Sequence, residues 1–326
     1  MPADQEHPDT PQRSTLKESM SRQSAEAKKS FAQRSGFSSS DYATLRGMVD
    51  EAQRKLASAG VPADRTPRLA RHRRLLSDTI ALLEDPDAEV IAPSDAEVYL
   101  TALEVGQLNH IVSQLATPKG HWLGALERIV GPGAGEKSAA KLDERFMLQF
   151  VALCRSAGFR LEPMGALAGR PDDQPSEPNA TLEIDHWRVG IAGRTLHADA
   201  DLEPAMQAVN TQLRAAKMPG LAVFEVTSLI WPERRVLRVA SDSVASSELQ
   251  RRADAFLVEH TDRLASLADP QLVFGVLAVA TLPTFNVPTR HIAFSTSFRI
   301  AALCDDDDPR LARLTAFAKR FQRVGG

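Results

Sequence analysis

The segment Asn179–Asp185 alternates polar and apolar side chains. On an extended chain a period of two places Asn179, Thr181, Glu183 and Asp185 on one face. Carboxylates so grouped are the hard oxygen ligands that a divalent cation takes. On a half-exposed strand the same residues simply face water, and this simpler reading is the favoured one. Glu225 is harder to set aside, because it stands inside the apolar run Leu221–Leu229, where a carboxylate needs a partner. Arg194 is the candidate partner, in a structural ion pair or in a working site.

A second group of chemistry-bearing residues is basic. Arg65, Arg68, Arg71, His72, Arg73 and Arg74 form the strongest local charge cluster, with no acidic residue between Asp64 and Asp78. On a helix Arg68, Arg71 and Arg74 follow one another along a single stripe. Such a stripe suits phosphate contacts, whose strength falls steeply with salt; a solvated helix face accounts for it equally well. Another basic stripe, Arg310, Arg313, Lys319, Arg320 and Arg323, shares an amphipathic terminal helix with Leu311, Leu314, Phe317 and Phe321. Membrane docking is the weaker alternative there.

Three further patterns have simpler explanations. His197-Ala198-Asp199-Ala200-Asp201 has the acidic spacing of a metal loop but lacks the Gly and terminal Glu of an EF-hand, so Asp199 or Asp201 reads as the start of a helix at Leu202. The Asp305–Asp308 run before Pro309 complements the positive end of the helix that follows. In the stretch from Gly131 to Ser138, Glu136 occupies the place where a phosphate-binding loop needs Gly before its Lys, which leaves a hinge. No Ser-His-Asp or Cys-His set can be assigned, and Cys154 reads as core.

The elements that must position these groups follow from composition and periodicity. The chain has 326 residues, 43% of them hydrophobic, enough for a sizeable core and roughly two ordinary domains. Lys plus Arg number 39 and Asp plus Glu 42, a formal charge of -3, which excludes a globally basic chromatin-type protein. Two cysteines rule out a multi-disulfide framework and a four-cysteine zinc site. No apolar run begins the chain and none reaches the ~20 residues of a membrane span, so the expectation is a cytoplasmic protein with no membrane partner.

Residues 1–40 are polar and proline-bearing and read as a flexible, disordered tail. Residues 41–130 read as a helical region: a helix from Ser40 or Asp41 to Gly60, one over Pro67–Leu83, one over Ser94–Leu115 with a Ser94/Glu97 capping box, and a short piece at Trp122–Val130. Residues 131–137 form a Gly-rich linker. Over 138–326 the pattern predicts a helix (Ser138–Ala157), a strand (Phe159–Pro163), a hairpin (Ala180–Asp185 with Arg188–Thr195), a helix (Leu202–Lys217) and a strand (Leu221–Leu229). A helix (Ala245–Leu267), two strands (Leu272–Leu282, Ile292–Leu303) and a terminal helix (Pro309–Val324) complete it. The fold class is α/β: a small mixed sheet flanked by helices, preceded by an all-helical region.

The order of hairpin, helix and apolar strand resembles the core of the PD-(D/E)XK restriction-endonuclease-like nucleases. Pro178-Asn179 precedes the hairpin where that family has Pro-Asp. Ile191-Ala192-Gly193-Arg194 lies where it has Ile-Glu-x-Lys. Gln212 sits on the following helix, and Pro219–Ser228 matches the strand after it. The resemblance spans roughly 138–303. It implies two carboxylates from adjacent strands holding Mg²⁺ and a lysine orienting the attacking water. In this chain those positions read Asn179, Ala192 and Arg194: a neutral, weaker ligand, no ligand, and a side chain that holds phosphate but stays protonated.

The resemblance therefore implies a nuclease-like protein with a degenerate site that binds or scaffolds DNA or RNA without cutting, with no cofactor, and with Arg68, Arg71, Arg73 and Arg74 as the nucleic-acid contacts. One alternative is an active Mg²⁺-dependent nuclease with relocated carboxylates, Glu225 with Asp185 or Glu183, joined by Glu144 on the preceding helix. Another is an interaction module that recruits a protein partner through the helical region, with no nucleic-acid role.

Overall fold

The computed structural model describes residues 37–85, 88, 90–131, 139–168, 177–184, 186–289 and 291–322. The tail expected over 1–40 lies outside the described residues as far as position 36. Phe37 is already in the core, its ring edge-on to Tyr42 and Phe285 with centroids 5.8 and 4.9 Å away. Among the described residues the first helix, α1 (Ser39–Ala59), starts earlier than Ser40 or Asp41 as caps would place it. Ser38 is the N-cap, and its amide donates to Asp41 Oδ2 at 2.6 Å. Gly60, at φ +103°, closes the helix in the left-handed region that glycine enters freely.

Three more helices follow: α2 (Pro67–Glu84), α3 (Asp95–Leu115) and α4 (Leu123–Val130). Ser94 and Glu97 form the expected capping box on α3, with the Ser94 amide on Glu97 Oε2 at 2.8 Å. The Gly-rich linker lies outside the described residues apart from Gly131. Beyond it come α5 (Ala139–Ser156), β1 (Arg160–Pro163), β2 (Ala180–Ile184), β3 (Trp187–Thr195), α6 (Leu202–Ala216), β4 (Gly220–Glu225), α7 (Thr227–Ile230), β5 (Leu237–Val239), α8 (Asp242–Leu267), β6 (Val273–Asn286), β7 (His291–Ala302) and α9 (Pro309–Gln322).

One mixed sheet of seven strands joins all the described strands. β1, β2 and β3 form an antiparallel meander, β4 adds parallel to β3, and β6 adds parallel to β4. β6 is central and buried along its whole length. One of its edges carries β4 at residues 273–279 and β5 at 284–286; its other edge carries β7, antiparallel.

The period of two divides the side chains between two helical layers. Leu221, Val223, Leu277 and Val279 face α5, α3 and α9, in a core that runs on without a break to Leu45 and Leu56 of α1. Ala222, Phe224, Val276 and Ala278 face α6 and α8. The helical region thus shares its core with the sheet.

Two elements depart from the expected pattern. The β-prone run Leu221–Leu229 is cut at Glu225, where the chain turns into α7. The Thr227 hydroxyl there accepts the amide of Thr281 at 3.0 Å, filling the gap on β6 between β4 and β5. Pro283 lies in the same gap, where its lack of an amide leaves no ladder bond broken. β5 has three residues and no pattern of its own. It is a strand only because β6 extends to Asn286, past the Leu282 expected as its end.

Candidate functional site

β3 and β4 run parallel and end side by side, with Thr195 and Glu225 as register partners. The ends of parallel strands are where open α/β sheets place their ligands. Here α5 lies across them and contributes Asp143, Glu144 and Arg145. Asp143 Oδ1 accepts the Thr195 amide at 2.6 Å, and its other oxygen is 3.7 Å from Arg194 Nε. Burial raises the Asp143 carboxyl above its usual range, a shift that Arg194, the Thr195 contacts and His197 only partly offset. Burial also lowers the Arg194 guanidinium, partly offset by Asp143.

Glu225 Oε1 accepts the Thr227 amide at 3.1 Å. Burial pushes its carboxyl up, opposed by the Thr227 hydrogen bonds and by the charge of Arg145. Arg145 belongs to a second carboxylate as well. Its Nη1 donates to Glu104 Oε1 at 2.7 Å, the oxygen that also accepts from Arg68 Nη2 at 2.7 Å. His72 Nε2 stands 2.9 Å from the other Glu104 oxygen. Burial would raise Glu104, but His72, Arg145 and Arg68 together outweigh it and hold the carboxyl well below its ordinary range. Burial, reinforced by the charge of Glu225, pushes the Tyr99 phenol well above its ordinary range.

The cluster therefore ties α2, α3 and α5 to the ends of β3 and β4. Its cationic forks are engaged by carboxylates of the same chain. Among the described residues no three metal-ligating side chains come together.

The residues matched to the nuclease motif have other duties. Asn179 Oδ1 accepts the Gly193 amide at 2.8 Å and secures the start of the hairpin. Ala192 is fully buried among Leu196, Met206 and Val209 on the α6 face. Arg194 is engaged with Asp143. Gln212 is buried on α6, its amide oxygen without a hydrogen-bond partner among the described residues.

Of the relocated carboxylates, Glu183 and Glu225 stand far apart. Glu183 pairs in register with Arg188, at the opposite end of β3 from Thr195, roughly 23 Å along the strand from the level of Glu225. It also lies on the other face of the sheet: its neighbours Leu182 and Ile184 join the core under α5, whereas Glu225 shares that face with Leu221 and Val223. Asp185 lies outside the described residues. Glu144 is held by Arg128 at 2.7 Å, which fastens α4 to α5.

The four arginines chosen as nucleic-acid contacts separate as well. Arg68 turns inward to Glu104 and also donates to the Ile129 carbonyl. Arg71, Arg73 and Arg74 stay on the exposed side of α2; Arg73 meets Asp50 at 2.7 Å and Arg74 meets Asp78 at 3.8 Å. On α9, Arg313 and Arg320 lie over the rings of Trp187 and Phe159, each at 4.6 Å, and Arg310 holds Asp308. Arg323 lies outside the described residues. Asp308 accepts the Arg310 amide, as a helix-start acid does, and Asp201 accepts the amides of His197 and Ala198.

The sequence reading missed Glu104, Asp143, Arg145 and Tyr99, and it grouped His72 with the basic cluster, whereas His72 is buried against Glu104. A signal for Glu104 was present: it continues the stripe Thr101, Leu108 and Ile111 at helical spacing, and those neighbours are buried. The argument applied to Glu225, an acid in an apolar stripe, applies to it equally.

No protein-family model, no curated protein and no solved structure matches this chain.

Proposed function

We propose that this chain is a nuclease-like protein that binds nucleic acid without cutting it. The observation that carries the reading is the use made of the three motif positions. Asn179 holds a backbone amide, Ala192 is packed under α6, and Arg194 is committed to Asp143. None of them offers the second carboxylate or the lysine that metal-assisted phosphodiester hydrolysis requires. The order α5–β1–β2–β3–α6–β4, with an antiparallel meander followed by a parallel strand, supports a restriction-endonuclease-like core.

The binding surface in this reading is the outer side of α2. Arg71 is exposed, and the pairs Arg73–Asp50 and Arg74–Asp78 are solvent-exposed contacts of the kind worth little. A phosphate displaces such partners at small cost. Arg68 has no place in that surface, because its work is inside.

The test titrates labelled single- and double-stranded DNA and RNA over a salt series, with Mg²⁺, Mn²⁺ or chelator. It compares the unmodified chain with the Arg71→Ala/Arg73→Ala/Arg74→Ala variant. Expected are salt-sensitive binding without cleavage and a salt slope reduced by about one for each arginine that contacts a phosphate. Equal binding by the variant removes α2 from the reading. Metal-dependent cutting that disappears in Glu225→Ala overturns the non-catalytic half. Absence of binding by the folded chain discards nucleic acid and leaves a protein partner for the helical region.

A further inference from the structure

β7 ends the sheet, and among the described residues nothing pairs with its outer edge. Which groups that edge presents follows from one hydrogen bond. The Thr281 amide points away from β7, to Thr227, so Thr281 and its register partner Thr296 form a non-hydrogen-bonded pair. The amide and carbonyl of Thr296 then point outward, and so do those of Ile292, Phe294, Phe298 and Ile300 by alternation. Two observations agree. Leu303 donates inward to the Phe274 carbonyl, in the opposite parity, and the Phe298 carbonyl is met by the guanidinium of its neighbour Arg299 at 3.1 Å.

The sequence of this edge is nearly symmetric about Thr296: Ile292-Ala293-Phe294-Ser295-Thr296-Ser297-Phe298-Arg299-Ile300. We infer that the outer edge of β7 pairs antiparallel with the same edge of a second copy, about a two-fold axis at Thr296, and so continues the sheet from one chain into the other. A two-fold interface brings residue i to j and j to i. With the axis at Thr296, Phe294 meets Phe298, Ile292 meets Ile300, and Ser295 meets Ser297 of the second copy.

The outward parity makes Thr296, Phe294 and Ile292 members of hydrogen-bonded pairs. Ser295 and Ser297 fall in the non-hydrogen-bonded pairs, where side chains come closest. Ser297 is 1% exposed, and its hydroxyl has no hydrogen-bond partner among the described residues. Both serines are already buried within the single chain, so the pairing rests on the outward backbone groups of the even-numbered residues.

The charges permit the pairing. Arg299 is the one charged residue between Ile292 and Ile300; it is bound to Asp254 of its own chain and falls opposite Ala293, so like charges do not meet. Val258, one turn after Asp254 on α8, is 83% exposed and lies toward that side of the helix. Nine residues of edge span roughly 30 Å. A strip of that length one sheet-thickness deep covers only a few hundred Å², so the flanks of α8 and α9 must supply the rest of the ~800 Å² per partner that a stable dimer buries.

The experiment is sedimentation of the full chain across the micromolar range, with two kinds of variant. Thr296→Pro removes an outward amide and the hydroxyl contact to Thr281 but leaves the backbone bonds to β6 in place; it is expected to be monomeric where the unmodified chain is dimeric, with unchanged far-UV circular dichroism. The second kind reads the register and does not depend on that fold surviving. In a Cys304→Ser background, a mixture of Ala293→Cys chains with Arg299→Cys chains, two half-buried positions that fall opposite one another, is expected to cross-link under mild oxidation far more than either alone. A chain that stays monomeric throughout overturns the inference. So does a dimer that withstands Thr296→Pro, or one whose cross-linking shows no preference for the mixture.

Discussion

A single carboxylate oxygen, Glu104 Oε1, accepts from Arg68 of α2 and from Arg145 of α5, each at 2.7 Å. Glu104 itself is on α3, so three helices meet on one atom, and Arg145 extends the contact toward Glu225 at the end of β4. A charge so enclosed is tolerable only while its partners remain.

Removing that carboxylate is the most damaging change expected in the cluster. Glu104→Ala leaves Arg68 and Arg145 without their shared acceptor and is expected to cost about 3–5 kcal/mol in urea unfolding. Glu104→Gln keeps an acceptor oxygen and costs less.

The pH dependence of the same group has a definite sign. Its folded pKa is depressed from 4.5, so the stability it contributes is fully present above that value and lost as pH falls through the folded one. The advantage of the unmodified chain over Glu104→Gln is therefore expected to shrink on acidification below 4.5, read from urea midpoints at successive pH values.

Glu225 has the opposite sign. Burial raises its folded pKa, so the folded chain holds the proton more tightly than the unfolded chain does, and stability falls as pH rises from 4.5 through the folded value. Glu225→Gln is expected to match the unmodified chain in acid and to be the more stable at neutral pH. Equal slopes for the two would show that Arg145 and Thr227 fully compensate the buried charge.

Arg68 and Arg71 lie on one helix and should separate cleanly. Arg68→Ala removes charge-assisted hydrogen bonds and is expected to cost about 1.5–3 kcal/mol of stability. Arg71→Ala is expected to change stability by no more than about 0.5 kcal/mol while lowering the salt slope of nucleic-acid binding.

Two glycines on the sheet distinguish yielding from unyielding contact. A Cβ on Gly193 would come within 2.0 Å of Met147 Sδ, which can swing aside, and the expected cost is about 1–3 kcal/mol. A Cβ on Gly220 would come within 2.3 Å of the Gly190 carbonyl oxygen, where β3 and β4 are locked in register. Gly220→Ala should be the worse of the two by thermal midpoint.

Most helices and the long strands were legible because their apolar spacing is the direct imprint of a buried face. The Ser94/Glu97 box, the β2–β3 hairpin and α6 stand close to where those signals put them. β5 was not legible, since three residues carry no period, and neither was the break at Glu225, because Val226 and Leu229 favour a strand as readily as a short helix. Of the site, Glu225 was legible as an acid among apolar neighbours. Glu104 gave the same signal at helical spacing and went unread, and Arg68 looked like one more member of an exposed basic stripe.

Local chemistry, then, was sufficient to determine where elements begin and end, which acid was out of place, and that Ala192 cannot bind a metal. Only the tertiary structure decided who meets whom. Glu183 and Glu225 are similar in type and both stand on strands, yet opposite ends and opposite faces of the sheet keep them apart. Arg68 and Arg71 are one turn apart on the same helix, yet one is enclosed with Glu104 and the other faces water. The reason is physical: spacing along a chain sets the direction of a side chain relative to its own element, whereas the charge or surface it finds there belongs to another element brought in from far along the sequence.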